Sequence, residues 1–219
     1  MANYGKAIAK SIQNDWDRSN EDGIYVFTSS GGVYKENSGG VIDELSPVTP
    51  NDEATERTKV ILEGEEAVLA EAAGVVVRLG GLYTKKRGAH NFWLSGKMSE
   101  FQSSPNGLIN LIHYDDAAEC VLKALLNMKK ETKEKLFLVS DGAPISRIDI
   151  CKAGVKNPDY ADRKIPNFLG DPDKIDGKRY DSKTARRVLG WEPKFQSFDA
   201  FMSKDYAEEN TVELLNWSE

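Results

Sequence analysis

The chain has 219 residues, 40% of them hydrophobic and 29% charged, which is the make-up of a globular domain able to bury a core. Its formal net charge of -6 argues against a broad basic face for nucleic acid or anionic lipid and leaves only the local run Lys85-Lys86-Arg87. No apolar run reaches the roughly 18 residues of a membrane span. Cys120 and Cys151 are scattered, as are the two histidines, so neither a disulfide framework nor a structural zinc site is expected. The amino terminus carries no apolar signal region. The expectation is a soluble intracellular protein, cytoplasmic by default, or of an organelle stroma or matrix if a targeting segment is missing. Its partner is expected to be a small molecule rather than nucleic acid or a membrane.

Residues 3–17 read as a helix, with Tyr4, Ile8, Ile12 and Trp16 four apart. Ile24-Tyr25-Val26-Phe27 is apolar on both faces, as a buried parallel strand is, and runs into Thr28-Ser29-Ser30-Gly31-Gly32. Pro47 and Pro50 break a loop ahead of a helix over 53–72, where Ile61, Leu62, Val68, Leu69 and Ala72 share a face. Gly74 stops that helix, and Val75 to Leu79 is a second buried strand. The stretch 80–107 predicts a long loop with a short helix near 89–96. A strand follows over Leu108 to Ile112, and Asp115 or Asp116 opens a helix to about Asn127. Leu136 to Val139 is a third apolar strand. Beyond it come a helix near 146–154, a polar irregular stretch to about 180, and helices over 182–189 and 197–216. Strands alternating with helices predict an α/β fold with a parallel sheet.

Four stretches share a further pattern. Val26-Phe27-Thr28-Ser29-Ser30-Gly31-Gly32-Val33-Tyr34 resembles the strand and serine turn of extended short-chain dehydrogenases/reductases, the NAD-dependent epimerase/dehydratase group. Val77-Arg78-Leu79-Gly80-Gly81-Leu82-Tyr83 resembles that family's strand and loop beneath the nicotinamide. Leu111-Ile112-His113-Tyr114-Asp115-Asp116-Ala117-Ala118 resembles a family helix start. Ser182 to Pro193, with Leu189-Gly190-Trp191, resembles its carboxy-terminal signature. The resemblance implies a partial Rossmann-type sheet made of the last three strands. Residues 1–140 would form the carboxy-terminal half of the Rossmann-type domain, with an inserted loop at 80–107. Residues 141–219 would form a small, mostly helical substrate-type subdomain.

The resemblance also implies roles. Ser30 matches the family's catalytic serine. Ser29, Lys59, Leu79, Gly80 and Leu82 fall where the family holds its cofactor, NAD or NADP. Arg87, His90 and Trp93, with Lys97, fall where it builds a substrate pocket. Two departures stand out. No Gly-x-x-Gly-x-x-Gly turn joins a first strand to a helix, so the pyrophosphate cradle of backbone N–H groups is not in this sequence. By the resemblance the chain opens in the helix before the fifth strand, four strands short, and binding of either cofactor by this chain alone is expected to be weak. Second, the family's tyrosine four residues before a lysine is Thr55 here, before Lys59. A phenol can be tuned toward working pH by a nearby ammonium, whereas an aliphatic alcohol holds its proton far more tightly. Tyr34 lies on the far side of the serine turn. The chain thus resembles an atypical branch of the family.

Each residue also has a plain structural reading. Ser30 either polarises a carbonyl or caps its turn. Lys59 sits among Glu56, Arg57 and Glu63 on a solvated helix face. Arg78 is expected to pair with a structural carboxylate such as Asp115, and an aspartate oxygen at 115 or 116 to cap its helix. Two functions remain open. One is an NAD(P)-dependent epimerase/dehydratase-like oxidoreductase acting on a sugar nucleotide or small carbonyl compound, not competent for turnover as written. The other is a non-catalytic, Rossmann-derived binding or scaffold protein. In both, the strands 24–28, 75–79 and 136–139 form a parallel core with 24–28 at an unprotected edge, which predicts self-association through that edge.

Overall fold

The computed structural model describes residues 4–14, 16, 19 and 23–203. Helix α1 (Tyr4–Asn14) leads to strand β1 (Tyr25–Ser30), a single 3-10 turn at Gly31–Val33 and a short strand β2 (Val41–Ile42). Helix α2 (Glu56–Leu69) then returns the chain to β3 (Gly74–Leu79). The turn between them is too close for a side chain: a Cβ on Gly74 would stand 1.8 Å from the carbonyl oxygen of Val68. The helix itself ends earlier than expected, at Leu69 with Ala70 as its cap, and Gly74 is instead the first residue of β3.

Next come β4 (Gly81–Tyr83), α3 (Ala89–Trp93), β5 (Glu100–Phe101), β6 (Leu108–Ile109) and β7 (Leu111–His113). Helix α4 (Tyr114–Asn127) and β8 (Leu136–Val139) complete the main layer. β9 (Ile145–Ser146), α5 (Arg147–Gly154), β10 (Asn167–Phe168), β11 (Arg179–Tyr180), α6 (Lys183–Leu189) and α7 (Phe198–Ser203) follow. The predicted helix over 197–216 is seen as α7; the remainder lies outside the described residues.

The main sheet is parallel, in the order β1-β3-β8, with β1 at one edge as expected. Thr28 stands opposite Val77, and Val77 opposite Phe137. β3 is central and buried throughout, which is why Val75, Val76 and Val77 run without alternation. Val76 and Phe27 meet Ile8, Ile12 and Val68 from α1 and α2 on one face. Val75, Val77, Phe137 and Val139 meet Ala117, Cys120 and Ala124 of α4, with Leu189 and Trp191, on the other. A second core gathers Tyr83, Trp93, Leu94 and Leu111 with Ile150, Tyr160, Phe198 and Phe201, taking residues from both sides of position 140.

Two expectations change. The strand predicted over 108–112 is divided at Asn110: Leu108–Ile109 pairs antiparallel with β9, and Leu111–His113 pairs parallel with β4. At the division, Asn110 is buried and spends its amide on the chain at 178–180. The α4 cap is His113, not an aspartate. Its Nδ1 accepts from the Asp115 N–H at 3.2 Å, which requires a neutral imidazole, and burial lowers the His113 pKa in that direction. Asp116 turns inward instead. Its carboxylate accepts from the Lys194 N–H at 2.8 Å and the Phe195 N–H at 3.0 Å, and its carbonyl from the Trp191 indole at 3.1 Å. The aspartate-bearing helix start is thus tied directly to the Leu189-Gly190-Trp191 turn.

Candidate functional site at the carboxyl ends of the strands

β1 and β3 end side by side, Ser30 opposite Leu79. The carboxyl ends of strands in an open α/β sheet are where the crevice for a ligand forms, because the flanking helices start from there to opposite faces. Here the crevice is an open cleft of about 250 Å³, lined by Ser30, Leu79, Gly80, Asn110, Lys178 and Tyr180 among others. Leu108 and Ile109 add apolar wall.

Lys178 and Tyr180 arrive from far along the chain. β11 pairs parallel with β2, Arg179 opposite Val41. Asn110 fastens the same segment: its Nδ2 donates to the Lys178 carbonyl at 2.8 Å, and its Oδ1 accepts from the Tyr180 N–H at 2.9 Å. The Tyr180 ring lies directly over Gly31, where a Cβ would come within 2.4 Å of the phenolic oxygen. Glycine at 31 is what lets the phenol approach the serine turn. Burial, with Tyr34 nearby, raises the Tyr180 pKa, so the group stays a neutral O–H donor. The Lys178 Nζ donates to the Tyr34 carbonyl, and burial lowers its pKa. Neither residue carried a signal in the sequence, where 155–180 is simply polar and irregular.

Ser30 caps the 3-10 turn: its Oγ accepts from the Gly32 N–H at 3.1 Å and keeps its own proton available to the cleft. Of the two readings of this serine, the capping one is what the hydrogen bond to Gly32 shows. Thr55 and Lys59 do not reach it. Thr55 is the α2 cap, with its Oγ1 accepting from the Thr58 N–H at 3.2 Å, and Lys59 pairs with Glu56 at 2.9 Å on an exposed first turn. Neither lines the cleft.

Ser29 donates to the carboxylate of Glu65, which also holds Arg78 through Nε at 3.0 Å and Nη2 at 2.5 Å. The partner of Arg78 is therefore Glu65 rather than Asp115, because α2 packs its inner face against β3 while Asp115 is exposed at the start of α4. Arg78 also lies 4.6 Å from the centroid of the Tyr34 ring. Glu65 was not anticipated. The signal was present: an acid on the inward face of a helix, beside Val68, opposite an arginine in an otherwise apolar strand.

The loop residues scatter. Arg87 lies over the Tyr114 ring at 5.2 Å. His90 is fully buried against Tyr160 and Phe198, its Nε2 2.9 Å from the Lys85 carbonyl oxygen, and burial lowers its pKa. Trp93 packs on Phe168 within the second core. Leu82 packs against the first core from β4. None of these four lines the cleft. Cys120 and Cys151 are buried thiols pushed up to about 12, unreactive at ordinary pH.

The residues present fit only one end of a dinucleotide. Leu79 and Gly80 offer an apolar ledge beside Ser30, as a nicotinamide ring would need. A pyrophosphate needs converging N–H groups at a glycine-rich strand-to-helix turn. Among the described residues β1 runs into a 3-10 turn and β3 into β4, and neither makes that cradle. Gly80 is required by the neighbouring backbone, since a Cβ there would meet the Asn110 carbonyl oxygen at 2.9 Å.

No protein-family model and no curated protein matches the sequence. Solved structures do match it in fold. A functionally unknown conserved protein from Silicibacter pomeroyi superposes with a TM-score of 0.65 at 19% identity, over 92% of this chain and 70% of that one. UDP-glucuronic acid 4-epimerase from Bacillus cereus, solved with NAD, superposes at 0.69 and 16% identity, over 91% and 63%. The dTDP-glucose 4,6-dehydratase of Bacillus anthracis, also with NAD, gives 0.67 and 12%, over 91% and 64%. The chain therefore spans less than two thirds of these two enzymes. The fold is α/β with a parallel sheet, like that of Rossmann-type epimerases and dehydratases.

Proposed function

We propose that this chain is the substrate-side portion of an NAD- or NADP-linked oxidoreductase of the epimerase/dehydratase type, one that cannot turn over with these 219 residues alone. The observation that carries the reading is the cleft at Ser30, Leu79 and Gly80, at the carboxyl ends of two parallel strands. Ligands of open α/β sheets bind there because strand ends and helix starts leave backbone groups exposed around a crevice. Similarity in fold to a UDP-glucuronic acid 4-epimerase and a dTDP-glucose 4,6-dehydratase, each solved with NAD, supports the same reading. In this reading Ser30 donates its hydroxyl hydrogen to a substrate oxygen. Nicotinamide chemistry, when a cofactor is supplied, is hydride transfer at that oxygen's carbon. The pyrophosphate cradle would come from a further segment.

A second reading, a binding or scaffold protein, is favoured by Thr55, whose oxygen is committed to capping α2, and by Lys59, committed to Glu56. The full-length transcript separates the two. An in-frame segment of roughly 90 residues upstream of Met1, bearing a Gly-x-x-Gly-x-x-Gly turn after a strand, is expected under the enzyme reading. Reading frames closed upstream of Met1 would leave the scaffold.

A further inference from the structure

The cleft holds more donors than acceptors. Ser30 keeps its hydroxyl proton, since its oxygen serves Gly32 as acceptor. Tyr180 makes its hydrogen bond through its backbone N–H, and its phenol, lying over Gly31, has no partner among the described residues. Lys178 is partly buried; its Nζ donates to the Tyr34 carbonyl, and the Glu36 carboxylate acts on it electrostatically without forming an ion pair among the described residues. A partly buried ammonium that makes no ion pair is stabilised further by an anionic oxygen that also satisfies neighbouring donors.

We infer that Ser30, Lys178 and Tyr180 form a binding site for the carboxylate of a small organic acid, with its carbon chain against Leu79, Leu108 and Ile109. The charge decides between anions. One ammonium and two neutral hydroxyls match a single negative charge, and none of the lining residues adds a second cation for a phosphate dianion. The apolar wall is of no use to an inorganic anion. At about 250 Å³ the cleft falls below the usual range of roughly 300–1,000 Å³ for drug-sized ligands, so a short acid is the right size. This deepens the proposed use of the same cleft but does not depend on a dinucleotide.

The test is a cofactor-free titration followed by methyl NMR of the whole chain, with butyrate, its uncharged analogue butyramide, and inorganic phosphate as probes. Butyrate should give saturable shifts of the Leu79, Leu108 and Ile109 methyls, and butyramide and phosphate should not. Lys178→Met should weaken butyrate about tenfold or more, the scale of a lost charged hydrogen bond. Tyr180→Phe keeps the ring over Gly31 and removes only the hydroxyl, so it reads the site even if Lys178→Met loosens the segment, and it should weaken butyrate severalfold. Lys59→Met should change nothing. Saturation by butyramide or phosphate in place of butyrate, unchanged affinity in both variants, or no saturable shifts would overturn the carboxylate site. Because no cofactor is present, that failure would leave the oxidoreductase reading to be judged on the transcript.

Discussion

Glu65 is an acid enclosed by the packing of α2 on the sheet, and its carboxylate serves three donors: the Ser29 hydroxyl and two nitrogens of Arg78. Removing one member of a buried pair leaves a charge with no compensation, so Glu65→Ala should cost about 3–5 kcal/mol in chemical denaturation. Replacing both at once, Glu65→Leu with Arg78→Met, should recover most of that loss, and a double variant as unstable as the single would refute the account. Thr55 carries a smaller and different load. As the cap of α2, Thr55→Val should cost about 1 kcal/mol while Thr55→Ser costs almost nothing. In any version of the protein that turns over, the expected change in kcat is small; a hundredfold fall on Thr55→Val would instead mark it as an acid/base residue.

Asp141 makes the stability of the chain depend on pH. Its Oδ1 accepts from the Ala143 N–H at 2.9 Å, and its Oδ2 is buried with no hydrogen-bond partner among the described residues. Burial, with Asp116 adding repulsion against a weaker pull from Arg186, raises its carboxyl from 3.8 to about 7. The folded chain therefore binds a proton that the unfolded chain has lost over the window between about pH 4 and pH 7. Stability contributed by this group is intact below that window and falls as pH rises through it. Asp141→Asn keeps the acceptor and removes the titration. The variant should be more stable than the parent by about 1–3 kcal/mol at pH 8, with the gap closing toward pH 4. Denaturant midpoints across that range check it, and a gap that widens toward acid would reverse the sign.

Among elements, β1 is the least protected. Among the described residues it pairs with β3 on one side only, and Tyr25, Val26 and Phe27 offer neither proline nor charge along the other. Helices α1 and α2 cover the face at Phe27, but a helix on the face cannot satisfy N–H and C=O groups along the edge. We expect β1 to recruit a further strand, in the first instance from a second copy of the chain. Sedimentation should show concentration-dependent dimers that Thr28→Lys disperses, since Thr28 is exposed on that strand and a lysine there opposes edge pairing. A monomer at every concentration would dismiss the idea. The same periodicity that located β1, β3 and β8 could not foresee the division at Asn110, because five apolar-flanked residues look alike whether they pair with one partner or two.

The chain is expected to bind the dinucleotides weakly. Calorimetric titration of NAD, NADH, NADP and NADPH into the chain should give dissociation constants weaker than about 10 μM, or roughly -7 kcal/mol. A tighter value would mean that a pyrophosphate cradle exists without the glycine-rich turn. Features that depend on neighbours along the chain were legible from residue order. Apolar runs marked the three strands, and the Ser29-Ser30-Gly31 turn marked one wall of the cleft. Which distant groups meet was settled by the folding of the sheet around them. Glu65 with Arg78, Asp116 with the Trp191 turn, and Lys178 and Tyr180 with Ser30 all join residues whose partners are set by sheet order and by Asn110. A polar residue in an irregular stretch has no periodicity to betray its target, because its position is imposed by the backbone that other residues have already fixed.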